Sequence, residues 1–134
     1  KNSKNIKTEF FYDKETRFDF FAEKNNNKIL IEVKNVTLSR KYKLAEFPDA
    51  ITKRGTKHIK KLIEANKKGF KTYVLFLIQR EEIDHFKIAK DIDEEYYNNY
   101  LIAKKSGVIF LAYRCIIDFN QIKIEKKIKI VDER

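Results

Sequence analysis

No methionine and no tryptophan occur among the 134 residues, and there is a single cysteine. A natural chain begins with methionine, so its absence leads to the expectation of a fragment or a trimmed chain. The lone thiol, Cys115, has no internal partner, which excludes a disulfide framework. Set in the apolar run 111–117, it reads as a reduced, packed side chain in a cytoplasmic protein. Nothing around it suggests the environment that a low-pKa, nucleophilic cysteine needs. Long apolar runs are missing too: no stretch approaches the roughly 20 residues that cross a bilayer, and the lysine-rich start leads into no signal-like core. The expectation is a soluble protein with no membrane partner. No internal repeat or interdomain linker interrupts the chain, and its length and 43% apolar content suit one domain, 1–134, that buries a core without crosslinks.

What the chain has in abundance is positive charge. Lys and Arg number 30 against 20 Asp and Glu, a net charge of +10. Such a surplus favours a polyanion, DNA or RNA, as partner. A genome biased toward A·T would also raise the lysine count, so basicity supports that partner without specifying it.

The pattern along the chain is strands, then helix, strand, helix and strand. A first strand is expected over 8–12 and a second over 17–23, where Phe18, Phe20 and Ala22 alternate with Asp19, Phe21 and Glu23. Asn25, Asn26 and Asn27 supply a turn, and a third strand follows over 28–38. A basic amphipathic helix is expected over 48–69, starting at Pro48 or Asp49, with Ile51, Ile59, Leu62, Ile63 and Ala65 on its apolar stripe and Gly69 past its end. The apolar run 73–78 reads as a central parallel strand covered on both faces. Another helix is expected over 91–106 with Gly107 as its stop, then a strand over 108–117. The stretch 122–130, alternating isoleucine with charge, reads as an edge strand.

Within this frame one group of residues carries chemistry. On a strand, Glu32 and Lys34 share a face, with Ile31 and Val33 opposite them toward a core. A hairpin at the asparagines would bring Asp19 beside Glu32 across the ladder. Two carboxylates, a backbone carbonyl and a substrate phosphate suffice for Mg2+ or Mn2+, hard cations that keep several waters. Such an ion neutralises charge on a phosphoryl transition state, and a neighbouring ammonium, Lys34, orients the attacking water. The pattern is short, however, and 37% of the chain is Asp, Glu, Lys or Arg. A solvated ladder of charges across neighbouring strands has the same appearance.

A mixed α/β sheet with flanking helices, opening on a meander and continuing through helix crossovers, is the layout of a restriction-endonuclease-like, PD-(D/E)xK core. A closer resemblance rests on several stretches: Arg17, Phe18, Asp19, Phe20; then residues 31–38; then Phe47, Pro48, Asp49, Ala50 with Thr52, Arg54, Gly55, Lys57 and His58. Leu75, Phe76, Gln79, Arg80, then Ile92, Asp93, Tyr96, and finally Gly107, Val108, Ala112 and Tyr113 continue it in order. In these residues the chain resembles the C-terminal domain of the sugar fermentation stimulation protein family. The resemblance implies a nuclease-like core, DNA binding and, in longer relatives, a preceding barrel of the oligonucleotide-binding type that is absent here. It places Asp19, Glu32 and Lys34 on the nuclease triad and Glu9 on an upstream acidic position that adds a metal ligand. Thr16, Ile88 and Glu94 depart from the family's usual serine and prolines, none of them in the triad. The family is regarded as DNA-binding, so the two functions implied are a Mg2+-dependent nuclease and a non-catalytic transcriptional regulator of sugar metabolism genes.

Other residues divide between a functional and a structural role. Lys53, Arg54, Lys57 and Lys61, on the outer face of the first helix, grip a phosphate backbone or form a solvated face. His58 contacts phosphate or lies at the surface. Asp49 is a ligand or a helix cap. Arg80, closing the buried strand with Gln79, contacts phosphate or forms a salt bridge. Tyr96, Tyr97 and Tyr100 stack bases or pack a core. No apolar stripe is clearly surplus to that core, so no oligomer is predicted.

Overall fold

The computed structural model describes residues 5–118 and 120–131. Among them are nine strands and two helices: β1 (Asn5–Phe11), β2 (Arg17–Lys24), β3 (Asn27–Val36), β4 (Leu38–Lys41), β5 (Leu44–Phe47), α1 (Lys53–Lys67), β6 (Lys71–Ile78), β7 (His85–Ile88), α2 (Glu94–Ser106), β8 (Ile109–Ile117) and β9 (Ile122–Ile130). They form one mixed sheet in the order β1-β2-β3-β6-β8-β9-β7-β5-β4. The expected mixed α/β architecture is what the chain adopts.

The β2–β3 hairpin turns on two residues, Asn25 at φ 53° and Asn26 at φ 68°. Asparagine tolerates this left-handed backbone, and consecutive left-handed residues match the twist of the flanking strands. A two-residue turn also fixes the register, Lys24 against Asn27 through Phe20 against Ile31. Asn27 therefore belongs to the strand and not to the turn. From β3 the chain crosses through α1 to β6 and through α2 to β8, and both strand pairs are parallel.

Leu30, Glu32 and Val36 of β3 are buried on one face, with Thr72, Val74, Phe76 and Ile78 beside them on β6. Over this face lie Ile59, Leu62 and Ala65 of α1 and Tyr96, Tyr100 and Ala103 of α2. The expectation for β3 is thus inverted: Ile31 and Val33 are only half-buried, and Glu32 faces the core. Apolar residues occupy both parities of this strand, so alternation alone cannot say which face a helix covers. The three tyrosines of α2 are core residues and present no exposed rings to a base.

Both helices begin later than their apolar spacing suggests. Thr52 caps α1 by accepting the Gly55 N–H at 2.9 Å. Asp93 caps α2 by accepting the Tyr96 N–H at 3.0 Å, and its other oxygen accepts the Thr52 N–H at 2.8 Å, joining the two helix starts. Neither Pro48 nor Asp49 opens α1, and Ile51, 71% exposed, is not on its stripe. The segment β9 is not an edge: it pairs β8 antiparallel, and its end pairs β7 parallel through Phe86 and Ile130. The four-residue strands β4, β5 and β7 extend the sheet beyond it and are too short to show a period in sequence. Among the described residues no helix is long and apolar enough to cross a membrane.

Gly107 closes α2 at φ 111°, its N–H donating to Ala103 O at 3.1 Å, and a Cβ there would lie 2.9 Å from Asn66 Oδ1. Gly69, past α1 at φ 102°, has open space around it. Gly107→Ala is expected to destabilise the fold by about 2 kcal/mol or more, through backbone strain plus overpacking. Gly69→Ala, with the strain alone, should cost less; urea midpoints of the two variants test that order.

Candidate functional site

Asp19 leaves the β2–β3 ladder where it stops. One step beyond Phe20 and Ile31 the register sets Asp19 across from Glu32, and Asp19 Oδ2 accepts the Val33 N–H at 2.7 Å. The aspartate is thereby fastened to the residue that follows Glu32. Two positions along β3, Lys34 turns inward, its Nζ 3.1 Å from Glu32 Oε2. From α1, His58 Nδ1 lies 2.8 Å from the same oxygen. Asp19, Glu32 and Lys34 therefore converge as the sequence predicts, and the face they share is the one covered by α1.

Glu32 is only 5% exposed, and its second oxygen, Oε1, is buried with no hydrogen-bond partner. The other buried acids differ. Glu46 has both oxygens held by Arg40, at 2.6 and 3.1 Å, and both oxygens of Asp93 cap backbone amides. A buried anionic oxygen left unpaired is costly, so a protein that satisfies Glu46 and Asp93 fully and Glu32 by half has kept one oxygen available. Tyr96, fully buried nearby, also has an unpartnered hydroxyl; burial, with the Glu32 charge adding, pushes its ionisation up.

The two carboxyls shift in opposite directions. Burial, opposed by the Val33 N–H and reinforced by the Glu32 charge, raises Asp19 above the ordinary aspartate range. Burial would raise Glu32 as well, but its hydrogen bond from His58 and the charge of Lys34 outweigh that and hold it below the usual glutamate range. Two acids this close want a cation between them.

The donors fit a hard divalent ion: the free oxygen of Glu32 and the Asp19 carboxylate could supply two anionic ligands, and such ions complete their shell with waters and carbonyls. Among the described residues no group of three or more His, Cys, Asp or Glu side chains could hold a metal. Glu9, expected as an additional ligand, falls between the pairs Thr8–Phe20 and Phe10–Phe18, across from Asp19. Its side chain is 73% exposed and lies 3.7 Å from Arg17, so it does not join the carboxylates.

His58 opens the site to a groove of about 440 Å³ that it lines with Arg17, Lys53, Arg54 and Lys57. Phe11 and Glu15 complete the lining. A second groove, lined by Lys53, Thr56, Lys57, Lys60 and Glu95, shares Lys53 and Lys57 with it. Of the basic residues singled out in sequence, Lys53, Arg54, Lys57 and His58 are thus brought together. Lys61 is not; its Nζ lies 3.1 Å from Asp13 and 3.6 Å from Glu64. Arg80 is bonded to Glu82, away from the groove. His58 is buried rather than at the surface, because its imidazole reaches across to Glu32. That link, spanning 26 positions, has no local signal. Arg17, two residues before Asp19, and the exposed Phe11 are further members that the sequence reading passed over.

Residues 1–121 match the family model described as the sugar fermentation stimulation protein RE domain. A sugar fermentation stimulation protein homolog from the bacterium Pelagibacter ubique is 66% identical over 131 residues, 98% of this chain and 56% of that protein. One from Clostridium beijerinckii is 40% identical over 126 residues, 94% of this chain and 55% of that protein. Among solved structures, Pyrococcus furiosus SfsA in complex with Ca2+ is similar with a TM-score of 0.83 and 25% identity, covering 93% of this chain and 54% of that one. The chain spans about half the length of these relatives. With a family model covering most of its length and relatives this similar, the chain belongs to the sugar fermentation stimulation protein family.

Proposed function

We propose that this chain is a nuclease-like domain of the PD-(D/E)xK type that hydrolyses phosphodiesters in DNA with a bound Mg2+ or Mn2+. The observation that carries the reading is the half-satisfied Glu32 carboxylate, beside Asp19 and Lys34 and next to a groove lined with cations. The Ca2+ bound by the Pyrococcus furiosus protein supports a divalent ion in this family.

Asp19 and Glu32 would hold the ion, which when bound neutralises charge on the scissile phosphate and makes a water a better nucleophile. The protein's own groups do the rest. Arg17, Lys53, Arg54 and Lys57 receive the phosphates of the strand on either side of the break. His58 Nδ1–H donates to Glu32 Oε2, which fixes the carboxylate and leaves Oε1 as the oxygen that would take the ion. Lys34 Nζ orients the attacking water and offsets the charge that builds on the phosphoryl oxygens. Water adds in line, the opposite P–O bond breaks, a proton passes to solvent, and the leaving oxygen takes one up.

DNA binding without cleavage, as in a regulator, is the second reading, favoured by the fact that the groove's cations do not depend on the carboxylates. Incubation with single- and double-stranded DNA in EDTA, Mg2+ and Mn2+ separates the two. Metal-dependent shortening of the DNA is expected, reduced by roughly 100-fold or more in Glu32→Gln and in Lys34→Ala; intact DNA that is nonetheless bound selects the regulator. In EDTA, Arg54→Ala and Lys57→Ala should each weaken binding and lower the slope of log K against log salt by about 1. Mn2+ should raise the melting temperature of the wild type but not of Glu32→Gln. Because Asp19 takes up its proton at a higher pH than an ordinary aspartate, that stabilisation should fade on acidification before an ordinary aspartate would titrate. A Mn2+ effect that persists unchanged through the acid range would count against Asp19 as a ligand.

A further inference from the structure

Phe11 is the last residue of β1 and is 65% exposed, between two aromatic neighbours that are not. Phe10 stacks on Phe21 with ring centroids 4.5 Å apart, and the Tyr12 ring lies against Phe18 and Phe70. The core therefore takes the rings on either side of Phe11 and leaves this one in water. Its cross-strand partner is Arg17, and both line a groove together with His58, whose imidazole is bonded to Glu32. Around the ring stand the cations Arg17, Lys53, Arg54 and Lys57, against one acid, Glu15, which is itself 3.4 Å from Lys57 Nζ.

An open aromatic face ringed by guanidinium and ammonium groups matches two parts of one ligand. A nucleobase stacks on the ring, and the adjoining phosphates meet the cations. In a duplex both faces of each base are already stacked, so only an unpaired nucleotide can use such a platform. An apolar segment of a protein would cover the ring but leave the cations unmatched.

We infer that Phe11 is a base-stacking platform, and that the preferred ligand of the groove is an unpaired stretch of nucleic acid, a single strand, a flap or a frayed end. This rests on the nucleic-acid reading above and narrows it from DNA in general to strands with free bases. Phe11 sets which strand enters and takes no part in the bond-breaking step.

The test uses the absence of tryptophan from the chain. Phe11→Trp installs a single indole at the platform. Its emission is recorded in EDTA, at fixed salt, as an unlabelled single-stranded oligonucleotide of DNA or of RNA, or the DNA duplex of the same sequence, is added. Fluorescence anisotropy with labelled strands compares wild type, Phe11→Ala and Phe11→Trp, each first checked by circular dichroism. Stacking predicts quenching of the indole by single strands and little by duplex. It also predicts a roughly tenfold loss of single-strand affinity in Phe11→Ala that Phe11→Trp restores, with duplex affinity changed less than twofold. The DNA and RNA arms show which sugar the groove accepts, and quenching by either supports the platform. Emission that stays constant at saturating single strand overturns the proposal, as does an equal loss on duplex and single strand. If wild type binds both and Phe11→Ala binds them equally well, this inference alone fails; if wild type binds neither, the nucleic-acid reading fails with it.

Discussion

The buried carboxylate of Glu32, bonded on one oxygen and bare on the other, is the constraint that the surrounding architecture meets. An anion removed from water needs compensation, and here it comes from two sides, Lys34 on its own strand and His58 on α1, while the Asp19 carboxyl on β2 adds a second acid beside it. The compensation is deliberately incomplete by the standard of the same fold, since Glu46 and Asp93 have every oxygen engaged. A carboxylate whose depressed ionisation keeps it charged while one oxygen lacks a partner is in the state that a divalent ion requires. Removing Lys34 or His58 would take away a group that keeps this carboxylate charged and a hydrogen bond that sets its direction.

The fold supplies that constraint through a few local devices. A two-residue asparagine turn sets the β2–β3 register and with it the meeting of Asp19 and Glu32. The parallel crossover from β3 to β6 lays α1 over the Glu32 face. Asp93 joins the starts of α1 and α2 and so holds the helix from which His58 descends. The core of packed aromatic and aliphatic side chains makes these positions rigid. A site assembled from strands and a helix is held more closely than one carried on loops.

The groove beside the carboxylates shows how a diffuse surplus of charge becomes a local one. Lysine is spread over the chain, and some of these side chains are engaged elsewhere, Lys61 with Asp13 and Glu64 and Lys68 with Glu64. At the start of α1 and the end of β1, however, four cations face one acid next to His58. Placement, rather than total charge, separates a local cationic surface from the diffuse basicity that genome composition alone would produce.

Much of this was written in local sequence. The strands around Asp19 and Glu32, the central parallel β6, both helices with their glycine stops, and the shared face of Glu32 and Lys34 follow from periodicity and turn chemistry, which act over a few residues. The resemblance in ordered stretches carried the family. What local sequence could not state was which face of β3 a helix would cover, because Ile31 and Val33 are as apolar as Leu30 and Val36. Nor could it state that β9 would gain a second partner in β7, or that Glu9 would turn outward to Arg17. The bond from His58 to Glu32 and the arrival of Phe11 beside Arg54 join residues far apart in the chain. Period and propensity are properties of neighbours in sequence, whereas contacts between elements are decided only when the sheet closes and the helices settle on one of its faces.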